Sequence, residues 1–303
     1  MRIGQAEITF QRTIRVPDGR TPAYLPPGLG QFLIYNVKDY REKCPESWED
    51  GGIFIPMHDK EAVWMNFHLV GNNPRALVIG AGNVNAITGN PLKVGMETPQ
   101  NYVVIPTQPW LDGWKDTDGV IYQFVATEYL GGEGLTVGEQ ILGEESKTGG
   151  IGIAVFAPKD ESLTAYKPFK EYPISGAYDE KPWLYGAGAT FSVAAAAAPV
   201  TRSFKEMGLG KGGKIHQKIY PDPFVEGKTI NDVWKDEPEA HIAIYLVDAE
   251  AFEEITGKKV PPMPESFDDY EGPYFKLPDG AMPDTLGSKT FSGLKSVFTT
   301  EDK

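Results

Sequence analysis

The sequence predicts a β-dominated α+β protein in which two packed, mainly antiparallel sheets carry a few short helices. Three observations predict it. Apolar runs rich in β-branched and aromatic residues recur at strand length, 34 glycines and 25 prolines punctuate the 303 residues, and helical signals are few and short. Roughly ten to twelve strands and about three or four helices follow from that spacing.

Taken in order, Ala6, Ile8, Phe10, Ile14 and Val16 alternate with polar residues, the period-two pattern of a strand with one wet face, and only Arg12 breaks the dry face. Pro17, Asp18 and Gly19 close it as a turn. After Pro22, Pro26 and Pro27, residues 32–37 read as a strand, and 38–44 as one or two helical turns that Pro45 stops. Residues 53–56, 63–69, 76–79 and 102–106 read as further strands. Gln108 to Trp114 reads as a loop, and Asp116 to Gly119 as a turn.

Residues 120–158 are the best punctuated stretch. Two apolar runs, 120–126 and 151–157, flank a glycine loop and a short helix that Thr136 and Glu139 open as a capping box and Gly143 closes. Beyond Pro158 the texture changes. Residues 160–181 are polar, aromatic and proline-interrupted, so a β-rich unit over 1–158 and a second unit over 159–303 are expected, packed as one compact body. Ser203 and Glu206 suggest a single helical turn, 215–219 a strand, and 240–247 a buried central strand. Asp248 then caps a helix to Thr256 that Gly257 ends. Residues 264–284 read as an acidic, aromatic, proline-rich arm laid over a surface, and 292–298 as a final short helix.

Bulk composition excludes several classes. Hydrophobic residues at 41% and aromatics at 12% belong to a folded chain, and a net charge of −13 argues against nucleic acid and anionic membrane as partners. A single cysteine, Cys44, excludes intramolecular disulfides and multi-cysteine metal sites. The N-terminus has no signal-peptide pattern, and the Ala-rich run 193–200 is far shorter than the ~20 apolar residues that span a bilayer. A cytoplasmic location is the expectation.

The segments Leu25-Pro26-Pro27-Gly28-Leu29-Gly30, Asn85-Ala86-Ile87-Thr88-Gly89, Gln108 to Gly113, Gln123 to Ala126, and Gly212-Gly213 running to Ile219-Tyr220 resemble a family of uncharacterised microbial proteins of about this length. The resemblance extends from about Arg12 to Ser296 and implies one integrated unit. It implies no activity, cofactor or catalytic residue.

Two groups stand out as binding candidates. Trp110, Asp112 and Trp114 sit within five residues, where aromatic faces and a carboxylate suit a sugar or another flat ligand, although tryptophans in loops more often plug a small core. Arg202, Lys205, Lys211, Lys214 and Lys218 face only Glu206, a local +4 that leaves −17 for the rest, and form a basic island suited to an anion or an acidic protein surface. Gly208 to Ile215 falls one residue short of a phosphate-binding loop, because Ile215 stands where Ser or Thr must ligate magnesium. Gly80 to Asn85 likewise departs from the dinucleotide pattern at its third glycine. His58, His68, His216 and His241 have no ligand spacing, so neither a metal nor a cofactor is expected.

With no catalytic constellation in view, the sequence points to a non-enzymatic binding or self-assembling structural protein, with a homo-oligomer or protein partner and a small-molecule ligand as its contacts. The alternative is a hydrolase-type enzyme acting on a small or carbohydrate-like substrate through dispersed Asp and Glu residues.

Overall fold

A computed structural model describes residues 1–19, 21–131, 133–166, 205–272, 274–276 and 284–298. The first half supplies β1 (Arg2–Ile3), β2 (Ala6–Thr13), β3 (Gly28–Gln31), β4 (Tyr35–Asn36), β5 (Ile53–Pro56), β6 (Ala62–Leu69), β7 (Arg75–Ala81) and β8 (Val84–Asn85). It continues through β9 (Val103–Ile105), β10 (Trp110–Leu111), β11 (Gly113–Lys115), β12 (Ile121–Glu128), the helix α1 (Val137–Leu142) and β13 (Ile151–Phe156). The remainder adds β14 (Glu206–Ile215), α2 (Ile230–Val233), β15 (Ala240–Val247), α3 (Ala249–Thr256) and α4 (Lys289–Ser292). The protein is β-dominated with a few short helices, as composition and periodicity predict.

The strands form one hydrogen-bonded network instead of two separate sheets. Its main path runs β1-β2-β6-β12-β14-β15-β13-β7-β8, and every pair is antiparallel except β5 with β15. The join between the β12–β14 side and the β15–β13 side is narrow, just Glu206 opposite Val247 and Met207 opposite Leu246. Because β14 and β15 lie between β12 and β13, strands of residues 159–303 are inserted into the ladder built by residues 1–158.

The helix ends follow their sequence signals. Thr136 and Glu139 form the capping box of α1, Asp248 accepts from Ala251 N at 2.7 Å to cap α3, and Gly257 ends α3 in the left-handed region at φ 71°. Elsewhere packing overrides the local reading. β2 is expected to keep a wet face, yet Thr9, Gln11 and Thr13 are all buried, and β3 pairs across that end of the strand. The expected loop at 108–114 holds two short strands, β10 on β6 and β11 on β12.

The glycine-rich run before Ile215 is the largest difference. The sequence suggests a helical turn at Ser203–Glu206, a near-miss to a phosphate-binding loop and then a strand over 215–219, but Glu206–Ile215 is itself one ten-residue strand and 216–220 is not strand. A Cβ on Gly210 would collide with Val297, and one on Gly213 with the Val16 carbonyl oxygen. These glycines admit neighbouring backbone and core against the strand, the second common reason for glycine in a sheet. The final helix is expected at 292–298 and ends instead at Ser292, α4 being a single turn.

The main core joins β2, β6, β12, β13, β14 and β15, with Phe10, Trp114, Phe124 and Phe291 among its fully buried side chains. A second cluster of Trp48, Phe54, Tyr245 and Phe252 lies under α3. Cys44 belongs to it, and burial pushes its thiol up to about 11 against the opposing charge of Arg41. Such a thiol packs as a small apolar side chain. Among the described residues no helix is long and apolar enough to cross a membrane.

Candidate functional site

A cavity of about 630 Å³ opens where β2 ends and β6 begins. Its floor is Thr13, Glu61 and Ala62, one wall is the 15–19 turn with Phe298, and its roof is Met263 to Asp268 of the segment that leaves α3. Volume and mixed lining match a small-molecule site.

Glu61 is placed there by the turn into β6. Lys60 adopts a φ of 61° and its N–H donates to Ala126 O at 2.8 Å, while Ala126 N donates back to Glu61 O at 2.8 Å. Both bonds lock the start of β6 onto β12, and they hold Glu61 with no exposed surface. A carboxylate so buried needs donors. Arg12 supplies an ion pair at 2.5 Å and the backbone N–H of His58 a hydrogen bond at 2.9 Å. Burial raises the Glu61 pKa, and the His58 hydrogen bond and the Arg12 guanidinium oppose that shift.

The chain leading into the roof is tied to Arg12 and His58. Arg12 Nη2 donates to Pro262 O at 2.8 Å, and His58 Nε2 lies 2.8 Å from Pro261 O. Arg12 also sits 5.6 Å from the Phe32 ring centroid, and Arg15 in the wall lies 4.8 Å over Phe298. The lining charges are Asp18, Glu61, Glu265 and Asp268 against Arg15, with Met263, Phe267 and Phe298 supplying apolar surface. The arrangement offers a lining of acidic and apolar side chains with a buried ion pair at its floor.

Trp110, Asp112 and Trp114, expected as a ligand surface, lie in β10, β11 and the residue between them, and none of the three lines this cavity. Trp110 and Trp114 are 3% and 0% exposed. Trp114 packs edge-on to Phe124 at 4.6 Å and donates from Nε1 to Gly210 O at 3.1 Å; Trp110 meets Phe275 at 5.8 Å. Their faces are covered by protein. Asp112 is 5% exposed, its Oδ1 has no hydrogen-bond partner among the described residues, and burial holds its pKa well above the usual carboxylate range. Burial therefore favours its protonated form.

The described members of the basic island differ in exposure. Arg202 lies outside the described residues, Lys205 is exposed just before β14, and Lys214 and Lys218 are half-buried. Lys211 is only 8% exposed. Its ammonium stands 3.8 Å over the Tyr122 ring and donates to Leu294 O at 3.2 Å and Phe291 O at 3.5 Å, so it caps the chain leaving α4. Burial lowers its pKa, against the pull of Asp116 and Asp18.

Sequence reasoning does not find Arg12, His58 or Glu61 as a group. A signal for one of them is present, since Arg12 interrupts the dry face of β2 and an inward arginine requires a buried acid partner. Which acid it meets, 49 residues away, depends on the β2–β6 register that places Arg12 opposite Val63. Among the described residues no three His, Cys, Asp or Glu side chains are grouped to hold a metal ion. The chain matches no family model, and neither a curated protein nor a solved structure is significantly similar to it.

Proposed function

We propose that this chain is a non-enzymatic binding protein whose ligand occupies the cavity between β2, β6 and the 258–272 segment. The observation that carries the reading is a cavity of about 630 Å³ whose lining combines apolar side chains with an excess of acids. Glu61 is already paired with Arg12, and Asp18 and Glu265 add acidic charge to the lining against Arg15. An apolar body carrying an ammonium suits that lining, and the net charge of −13 steers cations toward it.

Paired probes test this. 2-Phenylethylamine should raise the melting temperature and give calorimetric binding, whereas 3-phenylpropionate, similar in body and opposite in charge, should give neither. Ala62→Phe, which fills the floor, should abolish the amine response. Equal binding of both probes, or amine binding that survives Ala62→Phe, would remove the reading.

One observation favours a second reading, the hydrolase-type enzyme. Glu61 is a carboxylate with raised pKa facing a cavity that Glu265 and Asp268 also line, and such an environment suits a general acid. Its test is turnover of aryl esters and aryl glycosides that Glu61→Gln eliminates; a panel with no turnover by the parent counts against it. Self-association keeps for support only the exposed Glu265, Asp268, Asp269 and Glu271, since the arm lies over its own chain. Light scattering that stays monomeric at high concentration would end that proposal.

A further inference from the structure

We propose that residues 258–272 form a lid over the cavity, latched to the sheet by Arg12 and His58. The inference rests on the cavity being the binding site and adds how a ligand reaches it. The segment has two firm ends. One is Gly257, the left-handed cap of α3, whose N–H donates to Glu253 O at 2.8 Å, and the other is the bridge of Leu25 with Phe275, whose N–H groups donate to each other's carbonyls at 3.1 and 2.9 Å. Among the described residues between them there is no helix or strand, and Pro261, Pro262 and Pro264 have no N–H to give to a ladder.

Its buried contacts are few: Val260 packs partly buried against the cluster under α3, Phe267 partly buried against the main core, and Lys258 lies 4.8 Å over the Tyr35 ring. Pro261, Pro262, Met263, Glu265, Ser266, Asp269 and Glu271 are all exposed, Met263 at 43%. A segment with so little buried apolar surface opens at low free energy. It nevertheless has internal order. Ser266 Oγ donates to Asp269 Oδ2 at 2.6 Å, and Phe267 and Tyr270 pack on Tyr274 at 5.9 and 5.3 Å, so the roof moves as a unit.

The latch consists of the carbonyls of two consecutive prolines. Pro262 O accepts from Arg12 Nη2 and Pro261 O from His58 Nε2, each at 2.8 Å. Both donors are set by one residue of the cavity floor, because Glu61 pairs with the Arg12 guanidinium and accepts from the His58 backbone N–H. Removing the His58 ring deletes one latch bond and leaves that backbone hydrogen bond in place, which makes His58→Ala the cleaner probe.

A thiol on the floor reports opening without any ligand. Thr13 lines the cavity at 2% exposure, so in Thr13→Cys the labelling rate with methyl methanethiosulfonate measures how often the roof lifts, provided reclosing is faster than reaction. Buried Cys44 under α3 is the internal control for general loosening. Adding His58→Ala to Thr13→Cys should speed labelling of the introduced thiol about fivefold, the equivalent of one hydrogen bond, with Cys44 unchanged. Equal rates with and without His58 would overturn the lid, and so would acceleration of both thiols in proportion. Ala62→Cys serves as a second reporter if Thr13→Cys fails to fold. Because no ligand enters this experiment, its failure is distinct from failure of the amine probes, which would strike the binding reading alone.

Discussion

Two irregular segments late in the chain cross the sheet, and they are held in opposite ways. Residues 284–298 are lashed down by buried groups. Lys115, 2% exposed, pairs with Asp284 and donates to Thr285 O, Lys211 caps the carbonyls of Phe291 and Leu294, and Gln140 bonds both the N–H and the carbonyl of Lys295. Phe291, Leu294 and Val297 are buried behind them. Residues 258–272 contain as many aromatics but leave them half-exposed, and two proline carbonyls, the Lys258 ammonium over Tyr35 and the partly buried Val260 fasten their start. The difference teaches that chain irregularity does not set mobility. Buried apolar area and the number of desolvated donors do.

The largest effect that sharpens this contrast is expected at Phe291. Its side chain has no exposed surface and packs 5.2 Å from Trp114 in the main core. Phe291→Ala should cost about 3 to 5 kcal/mol in urea unfolding, from lost transfer energy and the cavity left behind. A cost below ~1 kcal/mol would mean that 284–298 is as lightly held as the lid.

Arg12 comes next, because it belongs to both the sheet and the latch. Arg12→Met keeps much of the stem's packing but strands the Glu61 carboxylate without its counter-ion, so about 3 kcal/mol should be lost. Arg12→Met with Glu61→Leu should recover most of it, since an apolar pair of similar volume is often neutral to stability. If the double variant is no better than the single one, the cost lies in the latch and not in the buried charge.

Asp112 tests the region first expected to bind ligand. Its folded pKa is raised above the unfolded one, so its favourable contribution is complete below the ordinary carboxylate range and fades as pH rises toward the folded value. Asn is neutral throughout. The stability of Asp112→Asn relative to the parent should therefore climb with pH from about pH 4 upward, at no more than about 1.4 kcal/mol per pH unit, and level off above the folded pKa. Denaturant melts at several pH values read the slope. Parallel curves would show that Asp112 is solvated, and would reopen the Trp110–Trp114 region as a surface.

Much of the sheet was legible in the sequence because its strands have local signatures. Residues 53–56, 63–69, 151–157 and 240–247 announce themselves by β-branched and aromatic runs, and α1 and α3 by their caps. The reading of 206–215 failed for a non-local reason. Its glycines answer to Val16 and Val297, which are remote in sequence, while nothing nearby distinguishes close packing from a flexible loop. The cavity was illegible for the same cause. His58 and Glu61 meet Arg12 only through the β2–β6 ladder, and the roof arrives from residues 261–268. The tryptophans drew notice through composition, yet their burial is decided by β6, β12 and β14 around them.

The smallest expected effect is also the one that divides the two segments most directly. Phe267 is half-buried in the lid, its ring 5.9 Å from Tyr274, whereas Phe291 has no exposed surface. Partial burial scales the loss, so Phe267→Ala should change global stability by about 1 kcal/mol or less. It should at the same time speed thiol labelling at Thr13→Cys, because the ring is part of the roof that excludes reagent. A residue of the cooperative core shows the reverse pairing, a large stability loss with labelling that follows global unfolding. If Phe267→Ala costs as much as Phe291→Ala, the roof folds and unfolds with the sheet, and its proline carbonyls are ordinary tertiary contacts instead of a latch.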